Sequence, residues 1–185
     1  ARDNKIDLTV VGPEQPLVLG IVDTFRAAGL RIFGPTAKAA KIEGSKIFSK
    51  DLMQKHNIPT GEYKVFDSPG PAREYARGLG RIIVKADGLA AGKGVYICKN
   101  GGEAVTAVEQ IMEQKLFGDA GKQIIIEEFL EGPEVSLLAF TDGKTIIPLE
   151  SAQDHKTVYD GDKGPNTGGM GTYSPAPLLT SNLLD

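Results

Sequence analysis

The sequence predicts an α/β region followed by an α+β lobe, and three observations support this fold class. Short apolar runs alternate with helical stripes through residues 6–56, which is typical of parallel α/β units. Two strand-like runs, 81–84 and 95–98, enclose a glycine-rich segment. A third apolar run, 123–127, leads directly into acidic residues. We therefore expect sheets whose strand ends carry polar groups.

The first third of the chain alternates strand and helix. We predict strands at 6–11 and 31–33, each followed by a Gly-Pro pair, with one helical stripe from Leu17 to Ala28 between them. Helices are expected from Ala37 to Ile42 and from about Ser45 to His56. Ligands of open α/β sheets bind at the carboxyl ends of strands, so the two Gly-Pro loops are candidate binding loops. A plain turn is the alternative for each pair.

The middle of the chain predicts a small lobe over residues 60–127. A strand at 62–66 is followed by a Ser-Pro-Gly-Pro break and a helix at 72–77. Another helix is expected after the glycine pair at 101–102, with an apolar stripe that belongs to the core, and a loop at 117–121. The helices and flanking strands would cover one face of the sheet and leave the glycine-rich connection free to move.

The glycine-rich segment 85–94 reads KADGLAAGKG and is typical of a phosphate-binding loop. Glycines let backbone amides approach an anion closely, and Lys85 and Lys93 supply positive charge. It is not a Walker loop, because Gly88 and Gly92 enclose three residues and a strand follows where a helix is required. No G-x-G-x-x-G pattern is completed either. We interpret the segment as a flap that closes over a polyphosphate, and a plain hairpin loop is the alternative.

The acidic segment 127–134, EEFLEGPE, follows the buried strand and suits a nucleoside. A strand end that leaves a sheet exposes backbone N–H and C=O groups, which can read the edge of adenine. Glu134 could then accept hydrogen bonds from ribose hydroxyls. Taken alone, the charges are more typical of a solvated linker. Their position after a phosphate flap favours the nucleoside interpretation.

Composition excludes several classes of function. The 185 residues carry a net charge of -3, which argues against nucleic acid as the main partner. The single Cys98 excludes an internal disulfide framework, and no Cys and His residues have zinc spacing. There is no long apolar run and no signal-peptide pattern, so we expect a cytoplasmic protein that does not bind membranes.

Residues 153–177 form a second polar segment, after a hairpin predicted at 135–149 around Asp142-Gly143. This segment lacks periodicity, and long aperiodic segments in compact domains are usually functional. It contains Asp154, His155 and Lys156 and a Gly-rich run after Gly164, which suit an anionic ligand that bears hydroxyl groups.

The order of these motifs resembles the ATP-grasp fold: Lys46 ahead of the small lobe, Lys85 on a strand, the flap, and the acidic hinge. Together with VGPE at 11–14, FGPT at 33–36 and the run at 153–177, the chain is similar to the glycinamide ribonucleotide synthetase (phosphoribosylamine–glycine ligase) family over practically its whole length. The resemblance implies a partial ATP-grasp fold in four segments: the end of an N-terminal parallel α/β domain (1–44), a connecting helix (45–59), the small lobe with its flap (60–127), and the hinge with the first part of the large lobe (128–185).

The family reaction belongs to de novo purine biosynthesis and joins glycine to 5-phosphoribosylamine. ATP phosphorylates the glycine carboxylate, and the amine then attacks the acyl phosphate to give glycinamide ribonucleotide, ADP and phosphate. No side-chain nucleophile is required, so catalysis would consist of positioning and charge neutralisation. The expected partners are therefore small molecules, and further purine-pathway domains in the parent chain are compatible with the resemblance.

The resemblance also assigns candidate residues to each ligand. At the phosphates and in the flap we expect Lys46, Lys85, Gly88, Leu89, Ala90, Ala91, Gly92, Lys93, Gly94 and Val95. At adenine and ribose we expect Glu127, Glu128, Phe129, Leu130 and Glu134. At phosphoribosylamine and the acyl phosphate we expect Gly12, Pro13, Glu14, Asp154, His155, Lys156, Asn166, Thr167, Gly168, Gly169 and Met170. The catalytic contributions are expected from Lys85, Lys93, Asp154, His155 and Lys156, with His155 more a hydrogen-bonding anchor than a general base.

The family also implies a Mg²⁺ or Mn²⁺ ion whose Glu and Asn ligands would follow Asp185, and a glycine-rich loop that would precede Ala1. We expect this chain to be an internal fragment that binds ATP weakly without turnover. Two other hypotheses stay open. A different ATP-grasp ligase or carboxylase would share the flap and hinge but lack the 153–177 pattern, and a non-catalytic nucleotide-binding module would show no acyl-phosphate chemistry.

Overall fold

Residues 1–90, 93–161 and 163–184 are described by the computed structural model, except for the side chains of Pro165 and Asn166. The chain divides into two units, Ala1–Leu130 and Glu131–Asp185, and each is described by itself.

The N-terminal strands form a parallel pair, as the βα alternation predicts. β1 (Thr9–Val10) pairs with β2 (Ile32–Phe33), and both strands are shorter than predicted. The single helical stripe predicted between them is wrong. It is divided into α1 (Glu14–Val18) and α2 (Ile21–Ala27), because Gly20 adopts a left-handed conformation with φ +87° and interrupts the helix.

Two further helices follow, and both are confirmed. α3 spans Ala37–Gly44 and α4 spans Lys46–Lys55. Ser45 separates them in an extended conformation, and its Oγ accepts a hydrogen bond of 3.1 Å from the Phe48 amide. This is an N-cap, which fixes the start of α4 at Lys46.

A four-stranded antiparallel sheet follows, and it has the strand order β3-β6-β4-β5. The strands are β3 (Tyr63–Phe66), β4 (Ile82–Ala86), β5 (Val95–Cys98) and β6 (Ile124–Glu128). The predicted strand, flap and strand arrangement is confirmed, because β4 and β5 pair directly from Ile82↔Cys98 to Lys85↔Val95. The flap therefore joins an inner strand to an edge strand.

The helices of this unit begin earlier than predicted. α5 spans Pro69–Arg77, because proline is well tolerated at the first turn of a helix, where the sequence indicated a break. α6 spans Gly101–Val108 and so includes the glycine pair; it continues into a π-helical turn at Glu109–Glu113. A short 3₁₀ helix, Gly118–Gly121, replaces the predicted loop.

Alternation along the strands gives the sheet two different faces. One face packs against α5 and α6, and its core includes the buried residues Val84, Ile124 and Ile126, together with Val108 and Ile111 from the helical side. The predicted apolar stripe after the glycine pair is thus confirmed as core. The opposite face carries Lys85, Ile125 and Glu127, so polar groups share it with apolar ones.

The second unit is built from two hairpins. β7 (Ala139–Thr141) and β8 (Ile146–Pro148) confirm the predicted Asp-Gly hairpin, with Gly143 at φ +90°. β9 (Gln153–Tyr159) and β10 (Lys163–Tyr173) form an antiparallel pair with register shifts, followed by α7 (Ser181–Leu184). The interpretation of 153–177 as an aperiodic loop is therefore wrong for its larger part, because main-chain pairing does not require alternating side chains.

None of the helices in the described part of the chain has both the length and the apolar character that a membrane crossing requires.

Candidate functional site

The face of the four-stranded sheet that lies opposite α5 and α6 carries a carboxylate and a lysine from adjacent inner strands. Ile83 lies opposite Glu127, and Lys85 lies opposite Ile125, so Lys85 and Glu127 are diagonal neighbours on one face. Their side chains form an ion pair, with Lys85 Nζ on Glu127 Oε1. Glu127 is buried, with an exposed fraction of 6%. The structure thus brings together two of the predicted nucleotide-binding residues.

Helix α4 lies against this face and adds two more lysines. Lys50 Nζ lies 2.8 Å from Glu127 Oε2 as an ion pair outside hydrogen-bond geometry. Lys46 Nζ donates a 3.0 Å hydrogen bond to the carbonyl oxygen of Gly88, at the start of the flap. Lysines four residues apart share one helix face, and this spacing is the signal by which Lys50 could have been found.

Burial changes the acid–base behaviour of Lys46. Desolvation lowers the pKa of its ammonium group below the ordinary value and outweighs the Asp87 carboxylate, which acts in the opposite direction. A cation that has lost part of its hydration gains more from an anionic partner than a hydrated one. Lys46 is therefore well placed to receive a phosphate oxygen.

Asp87 holds the start of the flap against the N-terminus of α4. Its Oδ1 accepts hydrogen bonds from the Ile47 amide at 2.8 Å and from Ser45 Oγ at 3.1 Å. Its own carbonyl oxygen accepts from the Lys46 amide at 3.2 Å. A carboxylate at a helix N-terminus satisfies amides that have no partner within the helix. The sequence analysis did not identify this residue, since its partners lie about forty positions away.

We expect Asp87→Ala to weaken the attachment of the flap to the N-terminus of α4. The substitution leaves the Ile47 amide without its acceptor, and the loss of a capping side chain costs about 1 to 2 kcal/mol. Urea denaturation should show that loss, and limited trypsin digestion should cleave faster after Lys93. Asp87→Asn keeps one acceptor oxygen and should lie between the two proteins. Equal digestion rates for wild type and Asp87→Ala would contradict the expectation.

Lys46, Lys50, Lys85 and Glu127 line a cleft of about 360 Å³ at the start of the flap. Predicted residues that line it are Glu14, Lys46, Lys85, Leu89, Ala90, Gly94, Val95 and Glu127. Residues that the sequence analysis missed are Ile42, Glu43, Ser49, Lys50 and Met53. Except for Ile42, Glu43 and Glu14, all of these come from α4, the flap and its strands, or β6. Glu14 was predicted at the phosphoribosylamine, and it lies in the same cleft as the predicted phosphate lysines.

Two flap glycines are explained by close packing. A Cβ atom at Gly88 would lie 2.8 Å from the Cβ of Ala120, and one at Gly94 would lie 2.7 Å from the Cβ of Ala90. Real Cβ atoms do not come this close, so both ends of the flap need glycine. Lys93 is exposed and its amide donates to the Ala90 carbonyl oxygen at 2.9 Å. The remaining predicted flap residues, Ala91 and Gly92, lie outside the described residues.

Beyond Glu127, the predicted adenine residues have different surroundings. Glu128 still pairs within the sheet, and its carboxylate accepts a 3.2 Å hydrogen bond from the Glu62 amide. The Phe129 ring packs under the Arg81 guanidinium at 3.6 Å. Strand β6 ends at Glu128, so the backbone of Leu130 lies beyond the end of the strand. The nucleoside interpretation requires this position.

The second unit joins several of the predicted substrate residues. Lys156 Nζ lies 3.2 Å from Glu134 and 3.3 Å from Asp154. Desolvation alone would lower the pKa of Lys156, but the two carboxylates outweigh it and raise that pKa. Glu134, predicted at the ribose, therefore has Lys156 as a partner in this structure.

Other predicted substrate residues lie along the β9–β10 hairpin. The His155 ring is tilted against that of Tyr173 with 5.6 Å between centroids, and His155 and Met170 both line a shallow cleft of about 250 Å³. Thr167 Oγ1 donates to the Lys156 carbonyl oxygen at 2.8 Å and accepts from the Gly169 amide at 3.0 Å. Gly168 is exposed, and the side chain of Asn166 lies outside the described residues.

The remaining predicted residues lie in the first unit, at the end of β1. Gly12 and Pro13 are exposed, and Pro13 is the N-cap of α1, whose first residue is Glu14. The Gly-Pro pair thus acts as a turn into a helix, and the turn directs Glu14 into the cleft.

Comparison with known families decides which proteins share this arrangement. A family model described as phosphoribosylglycinamide synthetase, ATP-grasp (A) domain, matches residues 44–185, and one for the N domain of the same synthetase matches residues 1–43. The chain belongs to the phosphoribosylglycinamide synthetase family. Similar curated relatives are the phosphoribosylamine–glycine ligases of Escherichia coli K12, 56% identical over 99% of this chain, and of Vibrio cholerae, 53% identical over 100%. The chain spans 43% of the length of each of these relatives.

Solved structures agree with the family in fold. Phosphoribosylamine–glycine ligase from Thermotoga maritima superposes with a TM-score of 0.71 at 36% identity and covers 82% of this chain and 39% of its own. The biotin carboxylase domain of a Hydrogenobacter thermophilus 2-oxoglutarate carboxylase gives a TM-score of 0.75 at 20% identity, covering 98% of this chain and 40% of that one. The second similarity shows the fold alone. The partial ATP-grasp fold expected for the synthetase family is confirmed.

Proposed function

We propose that this chain supplies the nucleotide-binding part of an enzyme that ligates glycine to 5-phosphoribosylamine at the expense of ATP. The observation that carries the proposal is the cleft in which Lys46 and Lys85 face a glycine-rich flap. Membership of the phosphoribosylglycinamide synthetase family and the names of the similar ligases supply the substrates. The biotin carboxylase neighbour was crystallised with MgADP, which supports an adenine nucleotide as the ligand of the shared fold.

The proposed reaction has two balanced steps. A carboxylate oxygen of glycine attacks the γ-phosphorus of ATP, the bond to the β-phosphate oxygen breaks, and ADP leaves. The amine nitrogen of phosphoribosylamine then attacks the acyl carbon, phosphate leaves, and the nitrogen loses a proton as the amide forms. Both steps move negative charge on phosphate oxygens, so preorganised cations are the effective catalysts.

The proposal gives each unit separate roles. Lys46 and Lys85 hold phosphate oxygens, and residues 88–95 cover them. Glu127 and the Leu130 backbone meet the adenine, and Glu134, which belongs to the second unit, meets the ribose. In the second unit, Asp154, His155 and Lys156 orient the acceptor and the acyl phosphate, together with residues 166–170. Gly12, Pro13 and Glu14 are assigned to phosphoribosylamine.

A divalent metal ion accompanies ATP in such reactions and neutralises the transferred phosphate. Among the described residues there is no group of three or more His, Cys, Asp and Glu side chains that could hold one. The described residues therefore do not fit a metal site, and we assign no step of the reaction to an ion held by them.

The proposal is tested by ADP release from the full-length parent chain. We expect release to depend on both glycine and phosphoribosylamine and to be near background with D-alanine or bicarbonate as the carboxylate donor. Preference for D-alanine or bicarbonate would instead indicate a different ATP-grasp ligase or carboxylase. Tight ATP binding without release under any of these conditions would indicate a non-catalytic nucleotide-binding module. Either result would contradict the proposal.

A further inference from the structure

Two lysines share the buried carboxylate of Glu127. Lys85 approaches Oε1 from the neighbouring strand β4, and Lys50 approaches Oε2 at 2.8 Å from helix α4. The pair of cations meets one anion that is only 6% exposed. The group of three side chains therefore carries one positive charge in excess of what Glu127 can balance.

The two lysines differ in how firmly they are held. Lys50 Nζ also donates to Thr60 Oγ1 at 2.7 Å and to the Gly61 carbonyl oxygen at 3.3 Å. Together with the ion pair to Glu127, Lys50 thus has three oxygen neighbours, two of which accept hydrogen bonds from it. Its side chain is 13% exposed. Lys50 is fixed between the helix, the segment that follows it, and β6.

Lys85 has fewer constraints. Glu127 is the acceptor that the structure describes for its ammonium group, and the side chain is 25% exposed at the wall of the cleft. An anion that enters the cleft therefore attracts Lys85 more easily than Lys50. If Lys85 moves to the anion, Glu127 loses one of its two partners but stays buried.

We propose that Lys50 is a positioning residue that serves as the permanent counter-ion of Glu127, so that Lys85 can transfer from Glu127 to the polyphosphate of the nucleotide. A buried carboxylate that loses its only partner is strongly unfavourable. With Lys50 in place, Glu127 remains paired when Lys85 leaves. Without Lys50, Glu127 retains Lys85 and competes with the nucleotide for it. This inference rests on the proposed function, because it takes ATP as the anion.

The decisive variants are Lys50→Met, Lys50→Arg, Glu127→Gln and the double variant Lys50→Met/Glu127→Gln, each in the full-length parent chain. Because Lys50→Met leaves the buried Glu127 carboxylate with Lys85 as its partner, we expect it to raise the KM for ATP and the Kd of a fluorescent ATP analogue about tenfold or more. The KM for glycine should change little. Lys50→Arg keeps the charge and should recover most of the affinity.

The double variant separates this role from a structural one. Glu127→Gln removes the competing charge, so adding it to Lys50→Met should restore nucleotide affinity to within about threefold of Glu127→Gln alone, as expected for strongly coupled residues. A purely structural role for Lys50, through Thr60 and Gly61, predicts instead that the double variant binds as weakly as Lys50→Met or more weakly. Lys55→Met, at the exposed end of the same helix, is the matched control and should behave as wild type.

The outcomes also distinguish this inference from the proposed function. Wild type that binds the ATP analogue but releases no ADP with glycine and phosphoribosylamine contradicts the proposed function, while the binding comparison among the variants still tests Lys50. Unchanged affinity in a folded Lys50→Met variant, or no recovery in the double variant, overturns the inference. Circular dichroism and thermal unfolding identify folded variants. If Lys50→Met does not fold, Lys50→Arg tests the inference, because the arginine variant should bind ATP within about threefold of wild type.

Discussion

Lys85→Met should abolish most ATP-dependent turnover, with kcat/KM for ATP lower by about a thousandfold, a loss typical of removing one preorganised charge-stabilising group. Lys85 is the less constrained cation of the cleft, and its strand leads directly into the flap. Methionine keeps the length of the side chain and removes its charge. Steady-state kinetics of the full-length parent chain, with ATP varied at saturating glycine and phosphoribosylamine, would measure the effect.

Lys64→Met is the matched control for this experiment. Lys64 lies on β3 of the same sheet, at a position that alternation places on the face opposite Lys85, where its ammonium group lies over the Tyr75 ring at 4.6 Å. It should retain turnover within about threefold of wild type, as expected for a surface substitution. A Lys85→Met variant with a loss smaller than tenfold would show that Lys85 does not contact the transferred phosphate.

Gly101→Ala should destabilise the first unit by about 3 kcal/mol, because packing an extra methyl group into a filled space costs in this range. A Cβ atom at Gly101 would lie 2.7 Å from the Ala76 carbonyl oxygen and closer still to that of Arg77. These are backbone atoms of α5, so they cannot move without displacing the helix. Urea denaturation followed by circular dichroism would measure the change in the free energy of unfolding.

Gly70→Ala provides the control for this substitution. Gly70 also lies in a helix, α5, but a Cβ atom there would meet nothing within 4 Å. Alanine favours helix by about 0.5 to 1 kcal/mol over glycine, so this variant should be as stable as wild type or more stable. Equal losses in the two variants would contradict the expectation, because they would show that the close approach of α5 and α6 at Gly101 does not determine the effect.

Parts of the fold and of the candidate site could be predicted from sequence where the local residue pattern agrees with the topology. Lys85 and Glu127 lie near the ends of strands rich in β-branched residues, so the strands that carry them could be predicted. The flap could be predicted for the same reason, since its glycines separate two evident strands. For the strands and for the flap, the information lies within about ten residues along the chain. That the Lys85 and Glu127 side chains share one face follows from the register of β4 with β6.

The contacts of Lys50 and Asp87 could not be predicted, because their partners are distant in sequence, and the spacing from Lys46 indicates only that Lys50 shares its helix face. Lys50 meets Glu127 only after α4 packs on the sheet, and Asp87 meets Ile47 only after the flap begins beside that helix.

Gly20 shows a different limit of prediction from sequence. A single glycine costs a helix only about 1 kcal/mol, so its presence did not indicate that the stripe from Leu17 to Ala28 would divide. The β9–β10 hairpin is rich in glycine, and its main-chain hydrogen bonds leave no alternating pattern to detect.

The strand order β3-β6-β4-β5 also sets up a gradient of local opening across the site. β6 and β4 are hydrogen-bonded on both sides, and Ile124, Ile125 and Ile126 on β6 are almost completely buried. Among the strands that the structure describes, β5 has a partner on one side only. Amide hydrogens of β6 should therefore exchange with solvent only through global unfolding, and those of β5 through smaller fluctuations. Glu127 thus lies in an inner strand that should exchange slowly, while the flap connects the inner strand β4 to the edge strand β5. A nucleotide held between them would be fixed on one side and released from the other.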